Sequence, residues 1–404
     1  MGISKVTSEY KGFKKEIYIL FVARIINRLG SFVNLFLVLY LTQNLKLNGK
    51  AIGIILTIVG VSRITGTMIS GKLADYFGRK KVLVILYVSS ALFIISCGFI
   101  NGSNLIPILL IIATFFLGGI RPVFNSIITD LSTPEERKRV FSFFYLATNI
   151  GVSLGPIIAG LLYRNYVNWI FWGDGTTTLI ATILIIIYVK DTTPTAEDIS
   201  NAKGNEKATD ESSLKVIIKK PFLIVFVLLN IVGTFIYAQH MIVIPIQFSE
   251  MFGKNSGKYF GYIMSLNAIV VVVFTTYILK LTKNKTSDYN MFLGTILYTV
   301  GFGMLYFANK NLMIFIISTI LWSIGEILYV TNYGVYISLH TPITHRGRFN
   351  SIFGTLNMIG FTIAPLISGF MISNYGVKNV WEIIFYIGFV LTIFFYGFTK
   401  LKNV

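Results

Sequence analysis

The chain has 404 residues, of which 54% are hydrophobic and only 13% are charged, and its formal net charge is +18. Because a soluble domain carries about a quarter charged residues, this composition excludes a soluble protein and indicates an integral membrane protein. The excess of lysine and arginine does not indicate a nucleic-acid partner, since these residues cluster in short segments between long apolar runs.

Twelve apolar runs are long enough to cross a bilayer. Each is predicted to be helical, because lipid offers the backbone no hydrogen-bond partner outside its own span. The first run, from about Ile17 to Leu41, is too long for the core of a signal peptide, so we expect it to remain as a span. The predicted spans cover residues 16–42, 51–73, 81–100, 104–129, 139–163, 168–189, 221–246, 257–280, 289–308, 311–338, 348–373 and 379–399.

A few ionisable side chains lie inside these spans, where a charge is costly and usually functional. The set consists of Arg24, Arg28, Arg63, Arg121, Asp174, Glu326 and Glu382, with His240 as a titratable addition. Of these, Arg63 is expected nearer the cytoplasmic half of the second span.

Three of these arginines are candidates for a substrate cavity. Arg24 and Arg28 are one turn apart on one face of the first span. Arg121 lies in the middle of the fourth span beside Pro122, and Asn125 adds a donor and an acceptor one turn later. These groups would attract an anion or hold an acid in a cavity, or they would pair within the protein and only fix helix packing.

A polar, basic segment from Gly71 to Lys81 joins the second and third spans. A loop this short must turn tightly, and we expect Gly71 and Gly78 to give the backbone that freedom. One acid, Asp75, can pair with the cations of this segment. Those cations are Lys72, Arg79, Lys80 and Lys81, and they place the segment on the cytoplasmic side.

Small residues and a proline interrupt the fifth span. Gly151, Gly155 and Gly160 recur around Pro156. Small residues let helices approach closely, and proline bends a helix. The segment is therefore expected to control helix packing.

The polar stretch from Asp191 to Lys219 divides the spans six and six. We expect an N-terminal six-helix bundle over residues 1–189, a cytoplasmic linker over 190–220 and a C-terminal bundle over 221–404. The halves echo each other, since the Thr-Pro at 133–134 recurs at 341–342, and Gly-x3-Gly-Pro at 151–156 recurs as Gly-x3-Ala-Pro at 360–365. A duplicated bundle of this kind forms a transport pathway between its halves.

Lysine and arginine are distributed unequally between the two sets of loops. One set holds Lys5 to Lys15, Lys72 to Lys81, Arg137 to Arg139, the linker, Lys280 to Lys285, Arg346, Arg348, Lys400 and Lys402, and the other holds only seven scattered cations. This asymmetry predicts that both termini lie in the cytoplasm.

Glu326, well inside the tenth span, is the main candidate for proton coupling. A carboxyl group removed from water favours its neutral form, so it would take up and release a proton near physiological pH. Tyr329, Tyr333 and Tyr336 follow on roughly the same helix face. A carboxylate among aromatic rings suits an amphipathic or cationic substrate. The alternative is a structural hydrogen bond or an ion pair to an arginine of another helix.

Three other ionisable groups have weaker claims. His240 lies beside Gln239 in the seventh span, and it would either assist proton coupling or serve as a hydrogen-bonded packing residue. Asp174 and Glu382 are expected near the outer surface, as solvated helix ends. No phosphate-binding loop, zinc-type Cys/His spacing or nucleophile elbow occurs in the sequence, so neither a cofactor nor a metal is expected.

These motifs together resemble the major facilitator superfamily, and within it the drug–proton antiporters. The segment from Gly71 to Lys81 is similar to the loop between that family's second and third helices, with Tyr76 where a basic residue is common. The same branch is matched by the Arg121-Pro122 pair, Asp130 before Thr133-Pro134, the glycine–proline segment of the fifth span and the Gly325-Glu326 pair.

The resemblance implies residue roles. In such relatives the loop acid, here Asp75, contacts the loop arginine, here Arg79, and the start of the eleventh helix. That contact secures the outward-facing state and is weakened by protonation. Asp130 would join this network, and Glu326 corresponds to an acid that binds substrate and proton in some relatives. Some relatives also use an acid near the start of the fifth helix, where residues 141–145 of this chain contain none.

We therefore expect an all-α integral membrane protein with twelve transmembrane helices in two pseudo-symmetric six-helix bundles. It would be a proton-coupled secondary transporter and not an enzyme. It would export small hydrophobic or amphipathic molecules by alternating access, with Glu326, Asp130 and His240 in proton coupling. We expect a monomer in a bacterial plasma membrane that binds its cargo and protons and no nucleic acid. The alternatives are transport of an anionic metabolite, a peptide or a lipid-linked substrate, and a membrane sensor or a polytopic enzyme.

Overall fold

A computed structural model describes residues 12–133, 136–192, 221–340 and 346–401. The predicted linker beyond residue 192 and the two Thr-Pro echoes, at Pro134 and at 341–342, lie outside the described residues. Within them the secondary structure is helical throughout. The helices are α1 Lys15–Leu29, α2 Phe32–Gln43, α3 Gly49–Phe77, α4 Arg79–Phe99, α5 Ile106–Leu131, α6 Arg137–Asn165, α7 Asn168–Tyr188, α8 Pro221–Phe252, α9 Ser256–Thr282, α10 Ser287–Gly303, α11 Leu312–His340 and α12 Arg346–Leu401.

Ten helical segments of the described residues are long and apolar enough to cross a membrane. Two are too long for one crossing, which takes about 20 residues. Phe222–Thr282 has 61 residues and is interrupted by the 3₁₀ turn Gly253–Asn255. Leu356–Lys400 has 45 residues and bends at Gly376, where φ is 77°. Dividing each at its interruption gives twelve spans, which confirms the predicted all-α membrane fold.

The first predicted span is not one continuous helix. It consists of α1 and α2, which are separated at Gly30 and Ser31. A Cβ atom at Gly30 would lie 1.8 Å from Oγ1 of Thr177, so only glycine lets the end of α1 approach α7 this closely.

The connection between the second and third spans is also different from the expectation. The predicted loop from Gly71 to Lys81 is wrong, because α3 continues to Phe77 and α4 begins at Arg79. Gly78 alone makes the turn, with φ at 99°. Gly71 is helical and has open space around its Cα. Polar residues marked the end of the apolar run, but a helix satisfies its own backbone groups and continues past that point.

By the density of contacts within the fold, the chain divides into two compact units. The first contains the described residues of Met1–Tyr40 and Ile58–Ala202, and the second those of Leu41–Thr57 and Lys203–Val404. In the first unit, the rings of Phe21 on α1 and Phe143 on α6 stack at 3.8 Å. In the second, Phe302 of α10 stacks on both Trp322 of α11 and Trp381 of α12, at 5.9 Å each. Each unit thus has its own aromatic core.

Candidate functional site

Glu326 of α11 lies in a polar cluster inside the second unit. Its Oε2 accepts a hydrogen bond of 2.8 Å from Nδ2 of Asn267 on α9. The same amide nitrogen lies 2.9 Å from Oγ of Ser323, one turn before Glu326. The hydroxyl of Tyr237 on α8 also donates to the carboxylate. In the part of the chain that the structure describes, Glu326 forms no ion pair. Two neighbouring helices, α8 and α9, therefore hold this acid of α11 through neutral donors.

A cavity of about 90 Å³ adjoins this cluster. Tyr237 borders the cavity and also binds Glu326, so its hydroxyl connects the two. The Tyr329 hydroxyl and Oδ1 of Asn357 are buried at this cavity and have no hydrogen-bond partner within the protein. Such groups are suited to hold ordered water. The rest of the wall is formed by Gly233, Thr234, Tyr298, Val330, Tyr333 and Phe361.

The three tyrosines predicted on one face of the tenth span have two different surroundings. Tyr329 and Tyr333 line the cavity. Tyr336 is 1% exposed, and its ring stacks on Phe226 of α8 at 4.0 Å. Two turns of α11 therefore contribute to the cavity and a third contributes to the core.

His240 is buried behind the cavity, with 4% of its surface exposed. Its ring stacks on Trp322 with the centroids 5.1 Å apart and lies 4.4 Å from the ring of Tyr237. Nδ1 is hydrogen-bonded to the backbone carbonyl of Tyr237. Because only a protonated Nδ1 can donate to a carbonyl, this contact places a proton on Nδ1. Of the two roles considered for His240, the geometry favours a hydrogen-bonded packing residue.

The predicted arginines of the first unit differ in their surroundings. Nε of Arg24 donates to Oγ1 of Thr148 at 3.2 Å, and its guanidinium lies 5.2 Å from the ring centre of Phe124. Arg28 is partly buried, and its Nε has no hydrogen-bond partner. Arg121 is exposed and acts electrostatically on both.

Two further predicted polar residues lie near these arginines in the sequence. Arg63 of α3 donates from Nη2 to Oδ1 of Asn34 at 3.1 Å. Asn125 is partly buried on α5, one turn after Arg121. Among the described residues, none of the span arginines forms an ion pair within 4.0 Å. The pairing that would only fix helix packing is thus not seen for them.

The basic segment after α3 brings charges together at one end of the first unit. Nη1 of Arg79 forms an ion pair with Oδ2 of Asp130 on α5, which also accepts a 2.9 Å hydrogen bond from Thr192. The approach of Arg79 to Asp75 is looser, at 3.8 Å, and 73% of the Asp75 side chain is exposed. Lys80 donates from Nζ to the carbonyl of Ile186 at the end of α7. The expected contact of Asp75 with the start of the eleventh span involves side chains outside the described ones.

The glycine–proline segment of α6 packs against α1. A Cβ at Gly151 would lie 2.5 Å from Cβ of Arg28, and one at Gly155 would lie 2.8 Å from the carbonyl oxygen of Leu29. Pro156 and Gly160 continue this face as buried residues of the same helix. The small residues therefore allow α6 to touch the backbone of α1 just before its break.

The expectation for Asp174 is wrong, because it is not a solvated helix end. It is 7% exposed, and its Oδ2 accepts a 3.0 Å hydrogen bond from the amide of Val33 at the start of α2. The break between α1 and α2 creates this site, and hydropathy alone gave no sign of it. Glu382 is exposed and borders an apolar groove of about 460 Å³ with Tyr306 and Phe385.

Two residues of the Glu326 cluster were not predicted. Asn267 and Tyr237 lie in apolar runs of the eighth and seventh spans. A polar amide in the middle of a span is itself a signal, because an unpaired amide in lipid is costly. Its partner could not be predicted, since Asn267 and Glu326 are 59 residues apart.

The sequence is similar to known membrane transporters. A family model described as Major Facilitator Superfamily matches residues 20–288 and 289–401. The chain is 24% identical over 358 residues to a Na(+), Li(+), K(+)/H(+) antiporter of Planococcus maritimus, covering 82% of this chain and 83% of the relative. It is 21% identical over 358 residues to solute carrier family 22 member 18 of Rattus norvegicus, covering 86% of this chain and 85% of that one.

Solved structures share the fold at lower identity. The nucleoside transporter NupG superposes with a TM-score of 0.78 at 15% identity, over 96% of this chain and 100% of that chain. A bacterial homologue of the human lysosomal transporter Spinster superposes with a TM-score of 0.76 at 12% identity, over 97% and 99% of the two chains.

Proposed function

The chain belongs to the major facilitator superfamily, and we propose that this secondary transporter is a proton-coupled antiporter in which Glu326 carries the proton. The observation that carries the proposal is the neutral surrounding of this carboxylate. Asn267 and Tyr237 donate to it, and no cation pairs with it in the described residues. Glu326 can therefore gain or lose a proton without leaving a buried cation unpaired.

The cavity beside Tyr237 supports a proton path. At about 90 Å³ it has room for about three waters, given ~30 Å³ for each in the liquid. Water there would exchange a proton with Glu326 through the Tyr237 hydroxyl, which can both donate and accept. Tyr237 is thus proposed as a relay and Glu326 as the site of storage.

The cavity is too small for a typical cargo by itself. Pockets for drug-sized ligands measure about 300–1,000 Å³, so the tyrosines at this cavity would form only part of a cargo site. Aromatic faces beside a carboxylate attract cations and bury apolar surface. We propose that the cargo is a small hydrophobic or amphipathic molecule, preferably cationic, and that it leaves the cell as protons enter by alternating access.

The cellular location and the topology are proposed from the charges of the loops. We propose a multi-pass protein of a bacterial plasma membrane with both termini in the cytoplasm, on the strength of the lysine and arginine asymmetry between loops. Reporter fusions at both ends would test this, and termini on opposite faces of the membrane would overturn it.

A second candidate function is exchange of alkali cations for protons. It is favoured by the likeness to the Planococcus antiporter, whose name gives Na⁺, Li⁺ and K⁺ as its ions. In this case the Glu326 carboxylate would bind a metal cation and a proton in turn. Oxygen ligands such as carboxylates suit hard cations.

Transport in proteoliposomes separates these candidates. An imposed pH gradient should drive flux of tetraphenylphosphonium under the first proposal and of K⁺ under the second. Glu326→Gln keeps the shape of the side chain and removes its proton exchange, so it should abolish gradient-driven flux of either probe. Glu250→Gln, at an exposed acid near the end of α8, should retain the flux. Coupled flux at the native rate in Glu326→Gln would exclude Glu326 as the proton carrier.

A further inference from the structure

Asp174 is a buried acid that the proposed mechanism does not use. It lies on α7 with 7% of its surface exposed. The ion pairs found in the described residues are those of Arg79, so Asp174 has no close cation. A buried charge without an ion pair is costly unless hydrogen bonds stabilise it. Backbone amides at the break between α1 and α2 stabilise Asp174.

The acid serves as the N-terminal cap of α2. The amide of Val33 donates to Oδ2 at 3.0 Å, and the amide of Phe32 donates to the same carboxylate. Ser31, at the usual cap position, instead donates its hydroxyl to the carbonyl of Asn27. The first amides of a helix have no partner within that helix, and lipid offers none. Asp174 therefore provides, from another helix, the hydrogen-bond acceptor that Ser31 does not provide.

α7 holds both sides of the break. On the α1 side, Nδ2 of Asn27 donates to Oγ1 of Thr178 at 3.0 Å. At the break itself, Gly30 touches Thr177 so closely that a larger residue would not fit. On the α2 side, Asp174 binds the first amides. Because one turn of α7 carries all three contacts, the carboxylate and the bend form a single junction.

Nearby positive charge offsets the cost of burying the Asp174 carboxylate. The charged group that acts on Asp174 is Arg28 of α1, whose Nε is buried and without a hydrogen-bond partner. The positive end of α2 also favours the anion. The residues of α4 nearest to the adjoining Gly175 are the uncharged Ala91 and Ile95. α6 carries its charged residues only near its two ends. The ionised form thus depends on two amides, one helix end and one arginine.

We propose that Asp174 is a second proton-binding site of the transporter, and that its protonation releases the first turn of α2. A proton from water binds one carboxylate oxygen, which then becomes a hydroxyl donor. The amides of Phe32 and Val33 lose a charged acceptor and the helix end loses its counter-charge. Deprotonation to water restores the cap. The proposal rests on the proton coupling proposed above.

Cysteine labelling measures the release of α2 directly. The chain has a single cysteine, which Cys97→Ala removes. In that background, Ser31→Cys places a thiol at the break, and a membrane-impermeant maleimide reports its accessibility in nanodiscs between pH 5 and 9. Rates are divided by those of Asn104→Cys, an exposed position, to remove the reactivity of the thiol itself.

The normalised rate should rise at least tenfold as the pH falls. Asp174→Asn, which cannot become charged, should label rapidly at every pH. Thr178→Ala, which removes a contact of the same junction but no titrating group, should keep the pH dependence, as should Glu326→Gln. A rate independent of pH in the parent, or an unchanged pH dependence in Asp174→Asn, would overturn the proposal.

A second measurement needs no variant and decides the case if Asp174→Asn does not fold. Dicyclohexylcarbodiimide reacts with protonated carboxyl groups in apolar surroundings. Mass spectrometry of the native protein should show modification of Asp174 that increases as the pH falls. Absence of modification across the range, or modification independent of pH, would contradict the proposal. Both assays are independent of cargo, so failure of proton-driven flux would refute the proposed function without altering these results.

Discussion

Arg79 forms its direct ion pair with Asp130, 51 residues away, and approaches Asp75, one turn away, only to 3.8 Å. The nearer acid in sequence is thus the weaker partner. Asp130 has 20% of its side chain exposed, whereas Asp75 has 73%. Because exposed ion pairs contribute little and partly buried ones with further hydrogen bonds contribute more, the two acids should respond differently to substitution.

Asp130→Asn should lower the thermal stability of the purified protein by several degrees. It removes the charge that Arg79 binds and weakens the acceptor of Thr192, a loss of about 1.5–3 kcal/mol for a hydrogen bond to a charged group. Asp75→Asn is the matched control, and it should leave the melting temperature unchanged. Differential scanning fluorimetry in detergent measures both. Equal shifts in the two variants would contradict the assignment of Asp130 as the main partner.

Removal of the Asn267 amide should move the pH dependence of transport to higher pH. Asn267 donates to the ionised form of Glu326, so Asn267→Ala leaves the proton bound more tightly and its release then requires a higher pH. Initial rates of tetraphenylphosphonium flux between pH 5.5 and 9 measure the midpoint. Ser323→Ala, which removes a neighbour that does not touch the carboxylate, should leave it in place. A shift to lower pH in Asn267→Ala would refute this reading of the cluster.

The Tyr237 hydroxyl should set the rate of proton exchange. Tyr237→Phe keeps the ring that borders the cavity and removes the group between water and Glu326. Proton-driven flux should fall about tenfold or more, within the range of general acid–base effects, while binding of tetraphenylphosphonium should change little. Tyr277→Phe, at an exposed tyrosine of α9, is the control. Full flux in Tyr237→Phe would mean that protons reach Glu326 by another route.

The spans and the position of Glu326 inside one of them could be predicted from the sequence, because both depend on local composition. The break at Gly30 could not, because it lies within an apolar run whose average hydropathy is unaffected. The cap at Asp174 is 141 residues from Val33, and such a pairing needs the packing of α2 on α7 to be known. Likewise, the polar residues at the end of α3 led to the prediction of a loop where the structure has a helix. Composition marks the membrane boundary better than it marks the end of a helix.

The glycines of α6 and of α3 should differ sharply in their tolerance of alanine. Gly151→Ala places a methyl group 2.5 Å from Cβ of Arg28, and Gly155→Ala places one 2.8 Å from the carbonyl of Leu29. Neither backbone nor Cβ can move aside easily, so both variants should unfold at lower temperature and transport poorly. Gly71→Ala meets open space in a helix, where alanine is favoured by about 0.5–1 kcal/mol. Its melting temperature should be equal or higher, and a marked loss would contradict the observed helix.

Arg121 decides between a cationic and an anionic cargo. It is exposed, and its charge adds to those of Arg24 and Arg28. In the described residues none of these three arginines forms an ion pair. If the cargo is cationic, Arg121→Ala should leave the flux of tetraphenylphosphonium intact or increase it, because one repelling charge is removed.

The same variant should abolish uptake of an anion such as carboxyfluorescein if the cargo is anionic. Arg24→Ala is the structural comparison. It loses the hydrogen bond to Thr148 and the contact with Phe124, so it should lower the melting temperature whatever the cargo is. Loss of tetraphenylphosphonium flux in Arg121→Ala at native stability would show that this arginine acts in the transport cycle itself. That result would contradict the expectation that Arg121 only repels a cationic cargo.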